Sequence, residues 1–401
     1  MRGEPVYLCD GVRTPRGKAS PAGGLAGITP LELTTAILRA LADRAGLDPT
    51  AVDDIVLGVA TQTGLQGGNL AKTAALTAGW PATVPGVTIN RFCASGVDAV
   101  NHAAALIGSG AADLVVAGGV ESVSGVPMFS DAGPLWSDPE VAEATGFIHM
   151  GVAADLVATL EGFERQELDE YGVRTHRRAA AAWAEGRFDP SLVTVPGPNG
   201  TLATDEHIRP DVSLEQAASL DPAFADLGAN GMDARALARY PELGAIQHLH
   251  HRGSSPSLAD GAAALIVASA AAVENHGLRP RARIVSFATA AVDPTIMLTS
   301  GQKATLRALD AAGLGPDDIE RFEFAEAFAA LCLKFQADLG VDSERFNPNG
   351  GTIAMGHAFG ATGAILMVCL LDELERSGTR RGMVAVSGAA GLGVATAVEL
   401  L

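Results

Sequence analysis

Apolar residues along this chain recur mainly at helical spacing, interrupted by short unbroken apolar runs. From Leu38, "LRALADRAGLDPTAVDDIVLG" sets out an amphipathic helix, an Ala-Gly-Leu-x-Pro turn and then a strand. The same order returns from Leu306 as "LRALDAAGLGPDDIERFEF". A second matched pair follows. "CASG", a helix and "LVVAGG" (Leu114 to Gly119) answer to "GATG" (Gly360 to Gly363), a helix and "MVAVSG" (Met383 to Gly388). The offset is nearly constant across both matches, which predicts two similar α/β halves, each with helices covering a mostly parallel sheet. The period is far too long for a solenoid.

Between the halves the pattern changes. "GFERQELDEYGVRTHRRAAAAWAEG" is polar, charged and helical, and "VPGPNGTLATDEHIRPDVS" is rich in Pro and Gly and reads as loop. The predicted division is a first half over 1–126, an inserted loop and substrate domain over 127–251, the end of the first half over 252–280, and the second half over 281–401. Loops set beside a rigid scaffold often carry specificity.

The chain has 401 residues, 48% of them hydrophobic, enough for a large core. Its formal net charge of −18 argues against non-specific nucleic-acid binding. The N-terminus lacks the pattern of a signal peptide, and the most apolar run, "GAAALIVASAAAV" from Gly261, is too short to span a bilayer. The 4 cysteines are too scattered for a disulfide framework or a zinc site. A cytoplasmic protein without a membrane span is expected.

Cys93 stands out within "INRFCASGVDAV". "VPGVTIN" before it reads as a buried strand, and Val97, Val100, Ala104 and Ile107 after it share one helix face. A cysteine at the start of a helix meets unpaired N–H groups and a dipole that favour the thiolate. Against this stands the ordinary behaviour of cysteine as a small buried hydrophobe, which suits Cys9, Cys332 and Cys369. "NPNGGTIAMGHAFGATG" (Asn347 to Gly363) places His357 among glycines at the matching position of the second half. Cysteine and histidine from paired half-sites would give a nucleophile and its proton acceptor. "HLHHRG" (His248, His250, His251) alternates along an extended segment, which argues against a metal site; His248 or His250 would instead line the substrate tunnel. Arg177, Arg178, Arg209 and Arg252 are candidates for binding phosphate.

Taken together, the ordered motifs resemble the thiolase family, which makes or cleaves 3-ketoacyl-CoA. They are "RTPRGK", "NRFCASG", "AGGVESVS", "HMG", "DGAAALIV", "EAFA", "NGGTIAMGHAFGATG" and "GLGVA". "DEHIRP", "GGNLAK" and "RARIV" most resemble the thiolase subunit of bacterial fatty-acid β-oxidation complexes. The resemblance implies a layered helix–sheet–helix–sheet–helix fold with an inserted loop domain. It implies Cys93 as the acyl-accepting nucleophile, His357 as its base, and the backbone N–H groups of Cys93 and Ala389 as the oxyanion hole. It places His149, Met150, Ser255, Leu258, Ala327 and Phe328 along the pantetheine path. It further implies an acyl-CoA or 3-ketoacyl-CoA substrate, no metal or resident cofactor, a homodimer or dimer of dimers, and a β-oxidation partner subunit. In such a dimer "TINRF" would lie at the interface.

Three positions depart from the family pattern. Ser387 occupies the place of the second catalytic cysteine, the residue that moves the α-proton. Ala325 replaces an asparagine that holds a water for the enolate. Pro256 stands where a CoA-contacting serine is expected, and it has no N–H to donate. Three readings follow: a 3-ketoacyl-CoA thiolase, a related acyltransferase or decarboxylative condensing enzyme with a different acceptor, and a subunit kept for assembly. Intact Cys93 and His357 count against the third.

Overall fold

The computed structural model describes residues 4–401. The first half holds strands β1 (Val6–Arg13), β2 (Asp54–Gly58), β3 (Val87–Ile89), β4 (Leu114–Glu121) and β5 (Ala259–Ser269). The second holds β6 (Ala282–Ala291), β7 (Arg321–Phe324), β8 (Arg381–Ser387) and β9 (Leu392–Leu400). The helices that shape the site are α1 (Pro30–Ala45), α2 (Leu70–Ala78), α3 (Ser95–Gly108) and α4 (Met150–Glu161). They continue with α5 (Arg165–Ala184), α6 (Ser300–Ala312), α7 (Ala329–Leu339) and α8 (Phe359–Ser377).

The repeated segments fold alike. Helix α1 stops at Gly46 with φ 63°, and α6 stops at Gly313 with φ 66°, the left-handed cap that the Ala-Gly-Leu-x-Pro turn encodes. A short 3₁₀ turn and a strand follow in both copies. The strands run in the order β7-β8-β9-β6-β1-β5-β4-β2-β3. Among the described residues the two halves share one short rung of the sheet, where Tyr7 pairs with Arg283 and Leu8 with Ala282.

The sheets are mixed, not mostly parallel. β2 is parallel to β3 and β4, and β7 to β8, but β5 and β9 run antiparallel to both neighbours. The cause is the connection. A tight turn at Ala389–Gly391 joins β8 to β9, and a short hairpin turn requires antiparallel pairing. In the first half the equivalent β4–β5 connection keeps that direction although it carries residues 122–258. The insertion therefore grows from the tip of a hairpin.

Helices α3 and α8 form the middle layer. Val97, Val100, Ile365 and Val368 pack against Val115 and Leu265 of the first sheet and Val384 and Val398 of the second. The outer layers are α1 and α2 over Ile55 and Val116, and α6 and α7 over Phe322 and Met383. The middle helices cross with no room for side chains. A Cβ on Gly96 would lie 2.6 Å from the Gly360 carbonyl, and one on Gly363 would lie 2.4 Å from the Val97 nitrogen.

β3, expected to be buried, is an edge strand, with Val87 41% exposed. Its short Val-Thr-Ile pattern does not tell an inner strand from an edge left open for another partner. The apolar stretch Pro139–Glu161 is two helices broken at Gly146, and most of it is buried within the fold. Helices α4 and α5 of the insertion pack against α7 through Val152, Leu156, Leu168 and Phe335. Asp205 of "DEHIRP" ties the insertion to β1 and the segment after it, taking Arg13 and Arg16 at 3.0 Å each. Burial opposes its charge, but the two guanidiniums prevail and hold the carboxyl at about 2.

Candidate active site

Cys93 lies between β3 and α3 on a turn fixed by its neighbours. The Phe92 N–H donates to Asn90 Oδ1 at 2.7 Å, and the Arg91 N–H donates to Ser95 Oγ at 2.8 Å. Ser95 Oγ in turn donates to the Phe92 carbonyl at 2.6 Å, and Phe92 is held at φ 50°. Such a strained, over-determined turn aims a side chain. Cys93 reaches an apolar cavity of about 220 Å³.

The helix start does not give a resting thiolate. Burial, then the Glu121 carboxylate, pushes the Cys93 thiol up to about 12, while the N–H groups of Cys93 and Ala389 pull the other way. Glu121 accepts from the N–H groups of Ala60, Thr61 and Gly360 at 2.9, 3.1 and 2.9 Å, and from Gln66 Nε2 at 2.6 Å. It thereby ties the end of β4 to the first turn of α8. Ala389 belongs to the β8–β9 hairpin turn, where Ala390 has φ 57° and Gly391 φ 77°.

His357 enters from the Gly-rich loop before α8. Its N–H donates to the Ser257 carbonyl at 2.8 Å, and its Nδ1 lies 2.8 Å from Thr362 Oγ1. With Nδ1–H given to Thr362, Nε2 carries a lone pair. Burial, then the Arg16 charge, lowers its pKa to about 4. Arg16 is held just behind it by the Gly356 carbonyl at 3.4 Å and by Asp205. At neutral pH the pair is thus a thiol and a neutral imidazole in one apolar cavity.

Ser387 lines the same cavity, but its hydroxyl is committed. Oγ donates to the Leu298 carbonyl at 2.7 Å and accepts from the Gly301 N–H at 2.9 Å. Ala325 lies outside the lining, 1% exposed in the core, with its N–H on the Ala385 carbonyl at 3.0 Å.

All six residues placed on the pantetheine path meet here: His149, Met150, Ser255, Leu258, Ala327 and Phe328. Ser255 Oγ is buried without a protein partner, and His149 Nδ1 accepts the Gly151 N–H at 3.0 Å, leaving its Nε2 as the donor. Pro256 also lines the cavity. His248 and His250 do not. Both grip Asp155, at 2.9 and 2.7 Å, and His248 also reaches Asp233 at 3.1 Å, so they anchor the insertion. Arg178 is spent on Glu344 and on the Ser343 and Phe346 carbonyls. Arg209 and Arg252 line a neighbouring cleft of about 450 Å³ with His176.

Two family models match the chain: "Thiolase, N-terminal domain" over residues 6–231 and "Thiolase, C-terminal domain" over 278–400. The chain belongs to the thiolase family.

Among curated relatives, a steroid 3-ketoacyl-CoA thiolase of Mycobacterium tuberculosis is 38% identical, over 99% of this chain and 94% of its own. A β-ketoadipyl-CoA thiolase of Pseudomonas aeruginosa is 39% identical, over 98% of each. The crystal structure of human mitochondrial 3-ketoacyl-CoA thiolase superposes with a TM-score of 0.85 at 29% identity, covering 99% of both chains. The activity class of this thiolase is acyl-CoA acyl transfer.

Sequence reasoning missed the rest of the thiolase cavity wall: Met128, Phe224, Leu298 and Phe359. They come from four distant segments, and single apolar residues in loops, a 3₁₀ turn and a helix start carry no periodic signal. Glu121 was visible only as part of "AGGVESVS". An acidic residue ending an apolar strand, as it does here, was the available hint.

Proposed function

We propose that this thiolase works through an acyl-Cys93 intermediate, passing the acyl group to CoA or to the carbon of a second acyl-CoA. The observation that carries the reading is one apolar cavity shared by Cys93, His357 and the Ala389 turn. As Sγ attacks the carbonyl of a CoA thioester, His357 Nε2 takes the thiol proton and later returns it to the departing CoA sulfur. The N–H groups of Cys93 and Ala389 lie around Sγ, where the tetrahedral oxyanion would form. A neutral imidazole is the form needed, and the low pKa of His357 keeps it so at neutral pH. CoA serves as substrate, and no step here calls on a resident cofactor or metal.

In carbon–carbon cleavage Sγ attacks the 3-keto carbon and the C2–C3 electron pair leaves as the enolate of acetyl-CoA, which must gain a proton. Ser387 is poorly placed to give one, since its hydrogen is held by the Leu298 carbonyl. This favours a second reading, transfer from Cys93 to a different acceptor or decarboxylative condensation, in which CO2 loss supplies the carbanion. The open β3 edge supports a homodimer, and four free cysteines suit a reducing cytoplasm. A β-oxidation partner subunit rests on the motif resemblance alone.

The test is the intact mass after incubation with a medium-chain 3-ketoacyl-CoA, beside Cys93→Ala. A gain equal to the acyl chain shortened by two carbons, absent in the variant, supports cleavage. Loading from simple acyl-CoAs without any shortened product supports the second reading. No loading from either would overturn both.

A further inference from the structure

The cavity does not end at Cys93. A second, smaller lobe of about 40 Å³ opens beyond it, lined by Phe92, Phe129, Asp131 and Trp136, and the two lobes share Cys93, Met128, Met150, Phe359 and Ala389. Ser255, Leu258 and Phe328 belong to the first lobe alone. If the CoA arm of a thioester fills the first lobe, its acyl group extends into the second.

Phe92, Phe129, Trp136 and Phe359 give this lobe an aromatic wall, completed by small and apolar side chains and by Thr61 and Asp131. Trp136 packs against Phe92 and Phe129, ring centroids 5.8 and 5.0 Å away. Among the described residues, neither its buried Nε1 nor the buried Oδ1 of Asp131 has a hydrogen-bond partner. Leaving such groups unpaired is costly, and a site that does so is built for a ligand that pairs them. The loop carrying Asp131 is also strained on both sides, with Phe129 at φ 70° and Ala132 at φ 50°. Neither residue is glycine, so the surroundings hold this shape against its own preference. Among the described residues, no Lys or Arg lines either lobe.

Resting on the acyl-Cys93 reading, we infer that the second lobe selects acyl groups carrying a hydroxyl toward their far end and rejects those ending in a carboxylate. A hydroxyl is the simple group that can both donate to the Asp131 carboxylate and accept from the Trp136 N–H. A distal carboxylate would meet Asp131 with no cation to offset the repulsion.

The experiment measures loading of Cys93 by intact mass over time with straight-chain acyl-CoAs from butanoyl to decanoyl. Each length carries a terminal methyl, hydroxyl or carboxylate, and the readout is the rate ratio within one protein. The wild type is expected to favour the hydroxyl over the methyl at one or more lengths by about tenfold to a hundredfold, and to disfavour the carboxylate. Asp131→Ala should bring the hydroxyl-to-methyl ratio close to one. Asp131→Asn keeps an acceptor but loses the charge, so it should retain part of the hydroxyl preference and relieve the carboxylate penalty. Equal loading of methyl and hydroxyl chains at every length by the wild type would overturn the inference even if neither variant folds. An unchanged ratio in Asp131→Ala would do the same. In both cases the acyl-enzyme reading survives, because Cys93 still loads. Failure of Cys93 to load with any of the thioesters would sink that reading, and the inference with it.

Discussion

Ser387→Cys restores the thiol that the family pattern places here, and the structure sets both its cost and its gain. Ser387 is 2% exposed and makes two hydrogen bonds, from the Gly301 N–H at 2.9 Å and to the Leu298 carbonyl at 2.7 Å. Each is worth about 1 kcal/mol net. A thiol donates weakly and is larger. Space is short as well, because an added Cβ on Gly301 would lie only 2.8 Å from Oγ. A loss of about 2–3 kcal/mol is expected in urea unfolding, from two weakened bonds and mild overpacking. The gain is a thiol, which gives up a proton far more readily than a hydroxyl and can hand one to C2 of the enolate and take it back. Positioned acid–base help is worth about 10²–10⁴-fold. Thiolysis of a medium-chain 3-ketoacyl-CoA, followed spectrophotometrically, should therefore rise about a hundredfold or more. Loading of Cys93 from a simple acyl-CoA, which needs no α-proton transfer, should change less than about threefold. A folded variant that loads normally but shows no faster thiolysis would refute the assignment of Ser387 as the limiting position. A parallel fall in both rates would show that Ser387 serves to hold the β8–β9 hairpin.

His357→Gln should make the protein less sensitive to acid. His357 is kept neutral in the fold at about 4, whereas the unfolded chain binds its proton below 6.5, so stability present above pH 6.5 drains away as pH falls toward 4. The gap is about 3 kcal/mol, visible as a smaller loss of unfolding free energy in the variant across that window. Glu121→Gln should lower the midpoint pH for alkylation of Cys93 by iodoacetamide, since it removes the charge that helps to raise the thiol. It should also cost about 2–4 kcal/mol in urea unfolding, because an amide NH2 then faces backbone donors; an unchanged midpoint would separate Glu121 from the nucleophile. Ala325→Asn puts an amide into a core position and should lower stability by about 1–3 kcal/mol. Its effect on thiolysis should be small alone and larger in the Ser387→Cys background, read as a departure from additivity in a double-mutant cycle.

That Cys93 and His357 meet in one cavity was legible because a site at a helix start demands small neighbours, and "CASG" and "GHAFGATG" supply them. The repeat was legible for a similar reason: a left-handed helix cap needs a glycine, and Gly46 and Gly313 mark it in both copies. Strand direction was not, because an apolar run records burial and says nothing of which way its neighbour points. The thiol's protonation was misjudged from the helix dipole, a local feature, when burial and Glu121 at the end of β4 decide it. Ser387 could be seen to differ, but not to be bound, since its partners are backbone atoms at Leu298 and Gly301, and backbone atoms leave no mark in a sequence.

These limits share a geometry. The two halves present equivalent hairpin tips at the site. In the second half the tip is the short turn that turns the Ala389 N–H on Cys93, whereas in the first it has expanded into the insertion that carries His149, Asp131 and Trp136. Cys93 and the groups around Sγ are thus tied to duplicated scaffold, where Gly96, Gly360 and Gly363 leave no room for larger side chains. Ser387 and Ala325 lie at the ends of β8 and β7, on the side that would handle an enolate, and Asp131 lies on the side that would hold the acyl chain. Ser387 and Ala325 depart from the family pattern on the enolate side, while Cys93 and His357 keep it at the centre. That distribution is what a shift in acyl donor or acceptor would leave behind, and a decaying enzyme would have no reason to spare the centre.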